Sequence, residues 1–227
     1  MYMNIRYSIF ILITALVVLA SCGKNNDNVF KPVVSSYINV VNASADTLNF
    51  FVNGTRQNNI SSLFPGSQLS YLVVPAGLQN YSFKKAGSPV VLINTPLNLQ
   101  DSVYHSLYVT AGATIGSFNT VDILDTSGTK SLFAKVRFVN ASPDAGNLNV
   151  SVGNSVNFNG RAYQSSSAFS LVNGGQTEIK IYLSGSAIPK VDTIIAMLPN
   201  HLYTLFSKGL LNGKGGAVFG VGLALNF

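Results

Sequence analysis

At 227 residues, with 47% apolar and only 10% charged side chains, the chain has material for one large or two small cores. Its net charge of +6 comes from scattered bases, Lys84-Lys85 being the only adjacent pair, so the basic stripe or reader motif of a nucleic-acid binder is missing. The polar remainder is mostly Ser, Thr, Asn and Gly, which favour strands joined by turns. Long runs of helix formers at a 3.6-residue period are absent, which excludes an all-helical fold.

Residues 1–21 read as a secretion signal. Arg6 supplies the positive start, and Ile9–Leu19 is an apolar run shorter than the roughly 20 residues that a membrane span needs. The run ends in Leu19-Ala20-Ser21-Cys22, which resembles the lipobox of bacterial lipoproteins; the resemblance implies cleavage before Cys22 and acylation of its thiol. Cys22 is the only cysteine, so an internal disulfide is excluded, and a lipid thioether accounts for an odd thiol in an exported chain. The expected location is the bacterial cell envelope, held by N-terminal lipid (palmitate or a similar acyl chain). The outer membrane is the expected destination, because Gly23 stands where an inner-membrane retention signal would place Asp. Residues 22–32, polar and Asn-rich, form a tether.

The next stretch, Tyr37–Val52 (YINVVNASADTLNFFV), returns as Lys135–Val152 (KVRFVNASPDAGNLNVSV). The shared core is Val-Asn-Ala-Ser-x-Asp, with Asn42, Ser44 and Asp46 in the first copy and Asn140, Ser142 and Asp144 in the second. The spacing from Asn42 to Asn140 also relates Tyr71 to Phe169, Gly77 to Gly175, Tyr81 to Ile179 and Phe83 to Ile181. Alternating apolar positions such as Tyr81 and Phe83 have the period of half-buried strands, and Pro75-Ala76-Gly77 and Asn173-Gly174-Gly175 are turn chemistry. Turn signals every ~8–12 residues over two such units predict an all-β chain of two tandem antiparallel immunoglobulin-like β-sandwiches. The domain bounds are 33–128 and 131–227, with Asp125–Lys130 as linker.

Val136–Ala145 (VRFVNASPDA), followed by Leu148–Val152, resembles the opening of the domain-of-unknown-function family 4397 (DUF4397). The first copy keeps the frame but has Ala45 for the Pro and a shorter turn. The resemblance implies tandem sandwich modules of a bacterial lipoprotein, and it brings no catalytic residues with it.

The repeated turn is the first candidate site. Its Asn, Ser and Asp side chains are suited to bonding nearby backbone amides, and the turn role is preferred over cation binding. Calcium takes about 6–8 oxygens, and neither turn has a second acid close by, so no metal site is expected. His105 and His201 are the only histidines and are not in register between the copies. With no nucleophile elbow, zinc-binding helix motif or phosphate loop, no cofactor is expected, and an uncharacterised hydrolase is the weaker alternative. Glu178 is the only glutamate, so a glycosidase carboxylate pair lacks support. Tyr104 and Tyr163 are candidates for exposed aromatics that stack on a sugar or a protein. The alternating end Val221–Phe227 reads as a closing strand of the second sandwich rather than part of a membrane barrel. Thr47, Ser102 and Thr193 follow an Asp and precede an apolar residue, a pattern similar to a bacterial O-glycosylation motif. The expected function is a non-enzymatic, lipid-anchored binding or display module for a glycan or envelope-protein partner, with no nucleic acid; the alternative is a structural subunit of an envelope complex.

Overall fold

The computed structural model describes residues 34–112, 115–126, 129 and 132–227; the signal sequence, Cys22 and the tether lie outside them. The first half is built of eight strands: β1 (Ser35–Ala43), β2 (Leu48–Val52), β3 (Thr55–Arg56), β4 (Gln68–Pro75), β5 (Gly77–Lys85), β6 (Val91–Leu99), β7 (Tyr104–Thr110) and β8 (Gly116–Val121). The second half repeats them as β9 (Phe133–Val139), β10 (Leu148–Val152), β11 (Val156–Arg161), β12 (Ser170–Asn173), β13 (Gly175–Leu183), β14 (Val191–Met197), β15 (Leu202–Lys208) and β16 (Gly220–Leu225). A single 3₁₀ turn, Gly215–Ala217, sits between β15 and β16.

Each half is a sandwich of two four-stranded sheets. In the first half the orders are β4-β1-β7-β8 and β3-β2-β5-β6; in the second they are β12-β9-β15-β16 and β11-β10-β13-β14. Pairing is antiparallel with one exception per half: β1 runs parallel to β7, and β9 parallel to β15. A parallel pair cannot be closed by a hairpin, and these partners are indeed the first and seventh strands of each unit.

The Val-Asn-Ala-Ser-x-Asp stretch is a corner between sheets, since β1 and β2 belong to facing sheets. Phe50, Tyr81 and Phe83 of one sheet meet Ile38, Val40 and Leu107 of the other to form the first core, with Phe50 and Phe83 stacked 5.1 Å apart. The second core repeats this with Val150, Ile179 and Ile181 against Val136, Phe138 and Leu205. A third cluster joins the halves: Val41, Ala43 and Tyr108 pack against Val139, Ala141, Phe206 and Ala224. The four sheets therefore lie in layers, with β1 against β15 at the centre. Residues 33–227 form one compact unit.

That layering explains the burial pattern of the central strands. β7 and β15 are almost wholly buried along their length, and β9 is exposed only at Phe133, whereas the outer β6 and β14 alternate. A strand covered on both faces has no exposed side, so its burial does not alternate, and polar residues on the second face, such as Arg137 and Ser106, are buried with partners.

Candidate functional site

The seam between the halves carries the strongest electrostatic feature among the described residues. Arg137 on β9 forms an ion pair with Asp122, which follows β8, and their side chains are 3% and 0% exposed. Asp122 accepts four hydrogen bonds: its Oδ1 from Arg137 and from Thr120 Oγ1 (3.1 Å), its Oδ2 from Ser106 Oγ and from Tyr71 OH (both 2.6 Å). Arg137 Nε donates to Thr204 Oγ1 (2.8 Å), whose hydroxyl donates to Asn226 Oδ1 (2.6 Å). Asn226 Nδ2 then donates back across the seam to Tyr71 OH (3.0 Å). A charge pair this deep is tolerable only when the remaining lone pairs and protons are satisfied, as they are around Asp122.

The network is a broken two-fold arrangement. The spacing that relates the repeats makes Asn39 the counterpart of Arg137, Ser106 of Thr204 and Tyr71 of Phe169. Register makes Asp122 the counterpart of Asn226, because each follows the residue that faces His105 or Tyr203. Where the first half has Asn39 and the second has Asn226, their counterparts are an arginine and an aspartate. Two substitutions at equivalent positions thus turn an amide site into an ion pair.

Local titration reflects this burial. The Tyr71 phenol is pushed well above its ordinary range, first by desolvation and then by the negative charge of Asp122. Tyr108 is raised by burial as well; it lies beside Ser106 and Thr204, yet its hydroxyl makes no well-formed hydrogen bond. For Arg137, burial alone would lower the pKa, but facing Tyr108 and Asp122 outweigh it and leave it raised. Tyr81, in the first core, is pushed up to about 12 by burial.

A cleft of about 330 Å³ opens beside Arg137, walled by Val121, Ile123, Ser166, Ser167 and Phe169. The Phe169 ring covers the Arg137 guanidinium at 5.0 Å.

The model of a family described as a domain of unknown function (DUF4397) matches the chain twice, over residues 36–133 and 134–219. The chain belongs to the DUF4397 family. No curated protein matches it. Among solved structures it is similar to CBMbc, a family CBM26 module of Eubacterium rectale Amy13K in complex with maltoheptaose. The identity is 7% and the TM-score 0.28, over 85% of this chain and 97% of that one, a level that says nothing about what this chain binds.

Both DUF4397 corners are built on a fully buried asparagine. Asn42 Nδ2 donates to Asp46 O (2.7 Å) and Leu63 O (3.0 Å), while its Oδ1 accepts from Ser44 N (3.0 Å) and Ser44 Oγ (2.6 Å). Asn140 Nδ2 donates to Gly146 O and Arg161 O (both 2.9 Å), and its Oδ1 accepts from Ser142 N (3.1 Å) and Ser207 Oγ (2.9 Å). Here the copies diverge, since Ser142 Oγ has no partner while Ser44 Oγ does. The acids diverge too: Asp46 pairs with Lys85 at 2.7 Å, and Asp144 accepts from Leu211 N–H at 3.1 and 3.0 Å. Among the described residues no three metal-binding side chains gather.

The other sequence candidates stay apart. His105 is buried with Nδ1 against Asn119 Nδ2 (3.1 Å), and burial lowers its pKa against a weaker upward pull from Asp122. Half-buried His201 has its Nδ1 on Pro199 O (2.7 Å). Tyr104 stacks on Tyr37 at 4.4 Å and Tyr163 bonds Thr110 Oγ1 at 3.0 Å; both are half-buried rather than fully exposed. Of the three glycosylation candidates, Ser102 is exposed while Thr47 and Thr193 are half-buried. Sequence reasoning missed Arg137, Asp122, Gln68 and Ser166. The signal was present as polar mismatches between the two copies, of which Asn39 against Arg137 is the clearest.

Proposed function

We propose that this chain is a lipid-anchored envelope protein whose DUF4397 tandem is a non-catalytic binding and display module for a protein or glycan partner. The observation that carries the reading is the seam. The buried ionisable groups there, Arg137 and Asp122, are fully engaged with each other and with neighbouring hydroxyls, and they join the halves instead of facing a substrate. The two histidines sit on separate halves, each held by its own local partner, and the acid whose charge reaches His105, Asp122, is itself taken up by Arg137. Attachment is assigned to Cys22, at the end of the apolar run and a short tether ahead of β1, with the outer membrane as its destination.

The test combines metabolic labelling with a palmitate analogue and proteolysis of intact cells. Labelled wild-type protein and unlabelled Cys22→Ala are expected; label on the Cys22→Ala protein would refute the anchor. Digestion on unbroken cells would place the sandwiches outside, and protection until permeabilisation would place them in the periplasm. Intact mass would reveal a hexose, which Ser102, as the exposed candidate, would carry.

A further inference from the structure

The seam has two equivalent edges, and among the described residues only one of them is bridged by a side chain of the other half. Leu225 at the end of β16 is bridged by Gln68 of the other half: its N–H donates to Gln68 Oε1 (2.8 Å), and its C=O accepts from Gln68 Nε2 (2.9 Å). The Gln68 carboxamide thus pairs with the strand edge as a peptide group would. By register the counterpart of Leu225 is Val121 at the end of β8, and by repeat spacing the counterpart of Gln68 is Ser166. Backbone groups alternate in direction along an antiparallel strand. Asp122 N–H donates inward to Tyr104 O, as Asn226 N–H does to Leu202 O, so the N–H and C=O of Val121 point away from β7 as those of Leu225 point away from β15. Ser166 is too short to reach them, and its hydroxyl donates to Ser167 O (3.3 Å). The space that a glutamine would fill is the cleft beside Arg137.

We propose that this cleft binds a short extended peptide segment, one amide of which takes at Val121 the place that the Gln68 side chain takes at Leu225. An unpaired edge is a template for strand addition, and main-chain pairing flanked by side-chain contacts is how such additions recognise a peptide. The flanks are apolar, with Val121 54% and Ile123 76% exposed on one side and Phe169 on the other. Arg137 is already neutralised by Asp122, so the occupant is uncharged where it enters. At about 330 Å³ the cleft is at the small end of ligand-sized pockets. The acetamido group of an amino sugar has the same donor and acceptor. A peptide is preferred because Val121 continues into a strand edge that a second amide can follow.

This rests on reading the tandem as a binding module, but lipidation at Cys22 and occupancy at Val121 are read separately, so failure of one is distinguishable from failure of the other. The experiment is residue-resolved amide hydrogen exchange on the full chain in detergent, with and without acetyl-Thr-Val-Thr-amide. In the free protein Leu225 N–H is expected to be protected and Val121 N–H to exchange quickly; saturating peptide should slow Val121 by about tenfold or more and leave Leu225 unchanged. Ser166→Gln should protect Val121 without peptide and abolish binding, whereas Ser166→Ala should bind as wild type. Val121→Pro, which removes the outward N–H, should also abolish binding, and it stands in if Ser166→Gln fails to fold. Peptide that leaves Val121 exchange unchanged, or that still binds the variant carrying Ser166→Gln, overturns the proposal. Protection of Val121 by chitotriose and not by the peptide overturns the peptide assignment.

Discussion

Replacing Asp122 by Asn removes one formal charge from a site where its partner is almost wholly shielded from water. The Arg137 side chain is 3% exposed, so the guanidinium stays buried against a neutral amide with no compensating charge, while Tyr71, Ser106 and Thr120 lose an anionic acceptor. Breaking a buried pair from one side costs about 3–5 kcal/mol, and Asp122→Asn is expected within that range. Arg137→Met is expected near the lower end, because the carboxylate it leaves behind keeps three hydroxyl donors. The double variant should cost less than the sum of the singles by about 1–3 kcal/mol, since it leaves no unpaired charge. Urea denaturation followed by circular dichroism, with the midpoint compared at constant slope, measures all three. The seam core is shared by both halves, so a single transition is expected. Singles that add in the double within about 0.5 kcal/mol would refute the pair as an interacting unit.

Asn42→Ala and Asn140→Ala should each cost about 1–3 kcal/mol in the same assay, because each strands two backbone carbonyls at a corner between sheets. Gly222→Ala should lower the melting temperature, since its Cβ would come within van der Waals overlap of the Phe206 ring, and overpacking of this kind costs about 1–3 kcal/mol. Gly220→Ala is the control: its Cβ would meet only the flexible Lys208 side chain at 3.6 Å, and little change is expected. The His105 pKa is depressed in the folded protein, so the unfolded chain takes the proton first. Its contribution is complete above the ordinary value of 6.5 and is lost as pH falls through the folded value; His105→Asn should flatten that limb of a stability–pH curve.

The repeat, the strands and the all-β sandwich architecture were legible because the outer strands keep the period of two. Tyr81 and Phe83 face a core while Ser82 and Lys84 do not, and the sequence shows it. The stacking of the halves was not legible, because β7 and β9 read alike whether their second face meets solvent or another sheet. Tyr108 and Val139 therefore passed as ordinary strand residues. The corner asparagines were visible as a motif, but their acceptors Leu63 O and Arg161 O lie 21 residues downstream, and nothing local points to them. Arg137 and Asp122 are 15 apart and unremarkable singly. Repeat spacing sets Arg137 against Asn39, but only the register of β8 and β16 sets Asp122 against Asn226.

The ion pair also sets an order for making the molecule. The first half is synthesised ahead of the second, with Asp122 already in place and a seam face of Val41, Ala43 and Tyr108 still uncovered. Its own Asn39 stands where Arg137's counterpart would be, and it brings no positive charge, so a second copy of the same half is a poor substitute for the true partner. The carboxylate is neutralised only when β9 arrives, a few residues later in the same polypeptide. Closing the seam is thus an intramolecular event that favours the chain's own second half over a neighbour's, at the stage of folding when exposed strands are most apt to find the wrong mate.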